Sequence, residues 1–138
     1  PGHDLVVLLQ PTSPLRATTD IDGCIECCAR GAPSVVSVAA LDKSPYWMFT
    51  RTPAGELAPL LPGVMPARRQ DAPPVYALNG AVYVAKVPWL REKRSFLGAG
   101  TQSWEMPKER SIDIDTGLDL ALAEAIVAAR GISPGWIT

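Results

Sequence analysis

An α/β fold built on a mostly parallel sheet flanked by helices is what the sequence predicts, and three consecutive stretches predict it. Leu5-Val6-Val7-Leu8-Leu9 is an unbroken apolar run of the kind buried on both faces of a parallel sheet. Ile21, Cys24, Ile25 and Cys28 then recur at helical spacing and make one apolar stripe. Ser34 to Ala40 reads as a second buried strand. The order strand, helix, strand makes a right-handed crossover and a parallel pair of neighbouring strands the expected topology.

The connections carry their own signals. Gln10-Pro11-Thr12-Ser13-Pro14-Leu15 is a loop, because its two prolines remove backbone donors and hold the residues before them extended. Thr19 with Asp22 three residues on resembles a capping box, and Gly31 with Pro33 stops the helix that follows. From Leu41 to Pro74 prolines crowd the chain, with a hairpin-like Thr52-Pro53-Ala54-Gly55 between two short strands, so residues 41–74 are expected to leave the main sheet as an arm. Regular structure resumes with a strand at Ala81–Ala85, a helical turn at Pro88–Arg91 and an extended stretch at 101–107. A final helix starts at Thr116, presents Leu118, Ala121, Leu122, Ala125, Ile126 and Ala129 on one face, and ends at Gly131.

Composition narrows the functional classes. A hydrophobic fraction of 47% in 138 residues is enough for a real core, and a net charge of -1 gives no field for holding a nucleic-acid backbone. No apolar run reaches the roughly 18 residues of a membrane span, and no leader-like segment opens the chain, so a cytoplasmic location is expected. The only cysteines, Cys24, Cys27 and Cys28, crowd onto one helix, which suits core thiols better than disulfides or zinc. The lone histidine, His3, has no triad-like partner spacing. The chain opens at Pro1, almost on its most buried strand, so preceding sequence is expected to be missing.

Three clusters have side chains suited to ligand chemistry. In extended backbone Asp113 and Asp115 would project to the same side about 6.6 Å apart. Two such carboxylates suit Mg²⁺, which shares its shell with waters and substrate phosphates; alternatively they only complement the dipole of the helix that follows. Arg68-Arg69-Gln70-Asp71 offers guanidinium forks to an acidic substrate, or is a solvated basic turn. Gln10, Thr12 and Ser13 follow the C-terminal end of the first strand, where open α/β sheets bind ligands, although such residues are also ordinary turn formers. Asn79-Gly80 reads as a hairpin turn whose amide stays free for a ligand.

Taken in order, Leu8-Leu9-Gln10-Pro11-Thr12-Ser13-Pro14-Leu15-Arg16, Arg69-Gln70 ahead of Asn79-Gly80-Ala81-Val82-Tyr83, and Ser111-Ile112-Asp113-Ile114-Asp115-Thr116 leading into Asp119-Leu120 resemble the cytidylyltransferases of sialic-acid metabolism. The resemblance spans nearly the whole chain. It implies a Rossmann-like nucleotide-diphospho-sugar transferase fold, here partial, with residues 1–138 as the C-terminal part of the catalytic domain and 41–74 as a dimerisation arm. It implies transfer of CMP from CTP to the anomeric hydroxyl of a nine-carbon 2-keto acid sugar, with Mg²⁺ held by Asp113 and Asp115. Arg68, Arg69 and Asp115 would then be catalytic, while Gln10, Thr12, Ser13, Arg69, Gln70, Asn79, Gly80, Tyr83 and Phe96 would line the sugar site. A homodimer binding neither nucleic acid nor membrane is expected, inactive as this fragment because the triphosphate loop lies outside it. Ala77 replaces an arginine found in some members, and Ser44 to Phe49 departs from the lysine-bearing version, which leaves legionaminic and pseudaminic acids open as substrates. A non-catalytic sugar-binding or dimerisation module on the same scaffold, or a nucleotidyltransferase for another sugar acid, is the alternative.

Overall fold

A computed structural model describes residues 4–63, 66, 68 and 71–130. Its elements are β1 (Leu5–Leu8), α1 (Thr18–Ala29), β2 (Ser34–Ala40), β3 (Phe49–Arg51), β4 (Leu57–Pro59), β5 (Tyr76–Lys86), α2 (Val87–Lys93), β6 (Gln102–Glu105) and α3 (Gly117–Ala129). Two compact units result. Residues 1–39 with 78–138 form the first, and residues 40–77 form the second. No helix among the described residues is long and apolar enough to cross a membrane.

The first unit is built on a four-stranded sheet of order β1-β5-β2-β6. β2 and β6 are parallel, Val35 facing Gln102 and Val38 facing Glu105. β1 and β5 are antiparallel, with Leu5 opposite Lys86 and Leu8 opposite Tyr83. The sheet is therefore mixed, which corrects the expectation of a mostly parallel one. β1 and β2 are joined by a helix as expected, but β5 lies between them and takes the hydrogen bonds that a direct parallel pair would have made.

A second correction concerns β1. It is an edge strand, and Val6, Val7, Leu8 and Leu9 remain between 37% and 43% exposed. A doubly apolar run marks a strand with layers on both faces and neighbours on both sides; β1 has a described neighbour on one side only. Leu5 alone of this run packs against the core.

The core gathers Cys24 and Cys28 from α1, Val35 from β2, Ala81, Val82 and Val84 from β5, and Met106, with Ile21, Ile25 and Trp104 packed against them. The helical stripe read from the sequence is thus the face that α1 buries. Gly23 lets the helix approach β6 closely, since a Cβ there would overlap the Trp104 indole. All three cysteines are free, and burial pushes the Cys24 thiol up to about 12, with the nearby Asp20 charge adding to the shift.

The start of α1 differs from its sequence reading. The helix begins at Thr18, and Asp20, not Asp22, reaches back to the Ala17 N–H at 2.8 Å. Asp20 is buried and also receives Arg110 Nε and Nη2, both at 2.8 Å, and Trp104 Nε1 at 3.5 Å. This clasp ties the first turn of α1 to the segment that leads into residues 111–116.

The final helix starts as read. The Thr116 hydroxyl accepts the Asp119 N–H, and the Asp119 carboxylate accepts the Thr116 N–H at 2.8 Å, a reciprocal cap. Hydrogen bonds donated by the Thr116 hydroxyl, at 2.7 Å, and by its N–H hold the Asp119 carboxyl below its ordinary value. The apolar face of α3 is largely exposed: Leu118 is 80% exposed, and of α3 only Ala123 is buried. Gly131 lies outside the described residues.

In the second unit β3 and β4 pair as an antiparallel hairpin across the Thr52–Gly55 turn, as the sequence indicates.

Candidate functional site

Three segments of the first unit meet beyond the C-terminal end of β1. The first is the Gln10–Ser13 turn, closed by the Ser13 N–H donating to the Gln10 carbonyl at 3.3 Å. Arg16 braces this turn from within: its Nη1 donates to the carbonyls of Gln10 at 2.6 Å, Ser13 at 2.9 Å and Ala81 at 3.3 Å. Ser13 is fully buried and its hydroxyl donates to the Asn79 carbonyl, so it ties the turn to β5 and does not face outward.

The second segment is the Asn79-Gly80 step. The sequence reads it as a hairpin turn, whereas the structure places it inside the long strand β5. The dipeptide is there for a different reason: Gly80 has φ +75, a left-handed conformation that disfavours a side chain. It is also a point of close approach. A Cβ on Gly80 would overlap Gln10 Oε1 and lie 3.6 Å from Asp113 Oδ2. Gly80→Ala is therefore expected to lower stability by about 1–2 kcal/mol through backbone strain alone, and to push Gln10 aside. Thermal unfolding against the parent checks this, and an unchanged melting temperature would contradict it.

The third segment is Ser111–Asp115, which has no regular secondary structure over 111–114. The Ile114 N–H donates to the Thr12 carbonyl at 2.8 Å and pins this stretch to the Gln10 turn. Asp113 Oδ1 is buried and has no hydrogen-bond partner among the described residues. A buried carboxylate oxygen left unpaired costs free energy, so it calls for a donor or a cation. Asp115 follows on the exposed N-terminal side of α3.

The donor set fits Mg²⁺. Its habit is one or two carboxylates plus water and substrate phosphates, and the structure offers the orphaned Asp113 oxygen with Asp115 two residues on. Among the described residues no cluster of three or more His, Cys, Asp or Glu side chains is assembled, so a closed cage of the structural type is not available.

The remaining expected site residues divide. Tyr83 lies on β5 opposite Leu8, and its ring meets that of Phe96 at 5.5 Å between centroids and 57° between planes. The Asn79 amide is expected to face a ligand, but the structure engages it internally: Oδ1 accepts from Ser37 Oγ and the Ala81 N–H, and Nδ2 donates to Ser111 Oγ and Met106 Sδ. Arg68 is exposed in the second unit. Arg69 and Gln70 lie outside the described residues.

Sequence reasoning gave no structural role to Ser37, Ser111 or Arg16 and missed the Asp20–Arg110 clasp. Ser37 did carry a signal. It is a hydroxyl in the middle of a mostly apolar buried strand, and a buried polar group needs a partner.

No family model matches the chain. It is 35% identical over 131 residues to the CMP-N,N'-diacetyllegionaminic acid synthase of Legionella pneumophila, which covers 90% of this chain and 54% of that protein. It is 38% identical over 112 residues to the N-acylneuraminate cytidylyltransferase of Streptococcus agalactiae, covering 80% of this chain and 27% of that one. At 23% identity over 130 residues it also matches a post-translational flagellin modification protein B of Campylobacter coli. The chain spans about half the length of the Legionella relative and about a quarter of the streptococcal one. The proteins to which this chain is similar over most of its length are thus a CMP-N,N'-diacetyllegionaminic acid synthase and N-acylneuraminate cytidylyltransferases.

Proposed function

We propose that this chain supplies the sugar-binding and metal-binding part of an enzyme that transfers CMP from CTP to the anomeric hydroxyl of a nine-carbon 2-keto acid sugar, releasing pyrophosphate. The observation that carries the reading is the orphaned buried oxygen of Asp113 beside Gly80 and Gln10. The names of the relatives support this chemical class, since both synthase and cytidylyltransferase relatives match across most of the chain.

In this reading Asp113 and Asp115 hold Mg²⁺, which when bound neutralises charge on the phosphate oxygens of the nucleotide. The protein's own contribution is placement. Gln10 orients hydroxyls of the sugar at the end of β1, and the Tyr83–Phe96 pair gives an apolar wall to the acyl substituent. Arg68, Arg69 and Gln70 belong to the proline-rich unit, for which we propose the role of a dimer arm presenting guanidinium groups to an acidic substrate. Fixing both reactants in one geometry converts an encounter in water into an intramolecular step.

The test is pyrophosphate release by a protein that carries this chain, given CTP, Mg²⁺ and neuraminic, legionaminic and pseudaminic acid derivatives in turn. Release that requires one of these sugars supports the proposal and names the acceptor. No release with any of them, from folded protein, overturns it.

A further inference from the structure

Asn79 is held on every side of its carboxamide by the fold itself. Each atom of its carboxamide is occupied, and the direction of every hydrogen bond is fixed by its neighbours. The Ala81 N–H is an unambiguous donor, so the atom it faces at 3.2 Å is Oδ1. The Val82 N–H is likewise a donor and occupies Ser37 Oγ at 2.8 Å, so the Ser37 proton goes to Asn79 Oδ1 at 2.6 Å. Asn79 Nδ2 donates to Ser111 Oγ at 2.9 Å and to Met106 Sδ at 3.4 Å, which sends the Ser111 proton to the Pro107 carbonyl at 2.8 Å. Ser37 and Asn79 are both buried. An amide has two donors and two acceptor sites, and here none is left over.

This network joins two neighbouring strands of the sheet to the segment that follows Arg110. Ser37 belongs to β2, Asn79 to β5, and Ser111 begins the segment that reaches Asp113 two residues later. The next residue after Asn79 is Gly80, whose backbone abuts Gln10 and Asp113.

We propose that Asn79 is a positioning residue: its carboxamide, held by Ser37, clamps Ser111 and thereby sets Asp113 against Gly80 and Gln10. This rests on the reading of Asp113 and Asp115 as the cation site. It predicts that Ser37, which can touch no ligand, acts on that site through Asn79.

The probe is Mn²⁺ alone, followed by paramagnetic broadening of the amides of residues 113–116 in the ¹⁵N-labelled chain. Asn79→Ala and Ser111→Ala are each expected to raise the Mn²⁺ concentration needed for half-broadening about tenfold, the usual penalty for losing the support of a metal ligand. Ser37→Ala should shift it in the same direction, and Ser37→Ala combined with Asn79→Ala should do no more than Asn79→Ala alone, because the two act as one unit. Ser111→Thr keeps the hydroxyl and should bind like the parent. If Asn79→Ala does not give a dispersed spectrum, the Ser111→Ala and Ser111→Thr pair carries the same comparison at a less buried position. Parent-like Mn²⁺ response in folded Ser111→Ala overturns the clamp while leaving the cation site standing. No broadening at residues 113–116 in the parent overturns the cation site and the clamp together.

Discussion

In a protein that carries this chain and performs the proposed CMP transfer, Asp113→Asn is expected to cut that transfer about a hundredfold, the upper end of what loss of a group supporting a metal ligand costs, without lowering the melting temperature of the metal-free protein. The two halves of that expectation come from one observation. Asp113 Oδ1 is buried without a partner, which makes the carboxylate a liability to the fold and an asset to a cation. The substitution takes the charge off a carboxylate whose Oδ1 has no partner and weakens a hard oxygen ligand at the same time. Asp115→Asn should also lose turnover, but Asp115 is exposed, so its stability should not move. Pyrophosphate release and thermal unfolding of both variants check this, and an Asp113→Asn variant with normal turnover and a lowered melting temperature would reverse the assignment.

The largest stability effect belongs elsewhere. Asp20→Ala is expected to destabilise the fold by about 3 kcal/mol, because it strands the Arg110 guanidinium and removes the acceptor of the Ala17 N–H. Urea unfolding measures the loss, and a change below about 1 kcal/mol, the worth of an exposed pair, would contradict it. The same clasp predicts a pH dependence. Burial alone would raise the Asp20 pKa, but the hydrogen bonds from Arg110, Ala17 and Trp104 and the Arg110 charge together hold it below its ordinary 3.8. A carboxyl depressed in the folded state contributes stability that is fully present above its unfolded value and is lost as pH falls through the folded one. The parent should therefore lose stability below about pH 4, and Asp20→Asn should flatten that limb of the profile.

How much of this was legible in the sequence depended on the kind of signal. β2 was read with its observed bounds and the buried stripe of α1 was read residue by residue, because apolar periodicity reports burial of a local element directly. The same signal misplaced β1 and the exposed face of α3, where apolar residues are present and no described element covers them. The insertion of β5 between β1 and β2 was not legible, since strand order depends on contacts distant in sequence that a pattern of side chains does not encode. Asn79-Gly80 shows the limit at residue level: the dipeptide signals a positive φ, and a hairpin and a kink inside a strand both require one. The proximity of Gln10 to Asp113 came from motif resemblance, and only coordinates supplied its mechanism, the Ile114–Thr12 hydrogen bond and the missing Cβ of Gly80.

The most direct measurement is the position of a bound Mn²⁺ ion located by anomalous scattering in crystals of this chain. The account predicts a peak about 2.1 Å from a carboxylate oxygen of Asp113, next to Gly80 and the Gln10 side chain. A peak on other residues only, with Asp113 Oδ1 still unpaired, would contradict it.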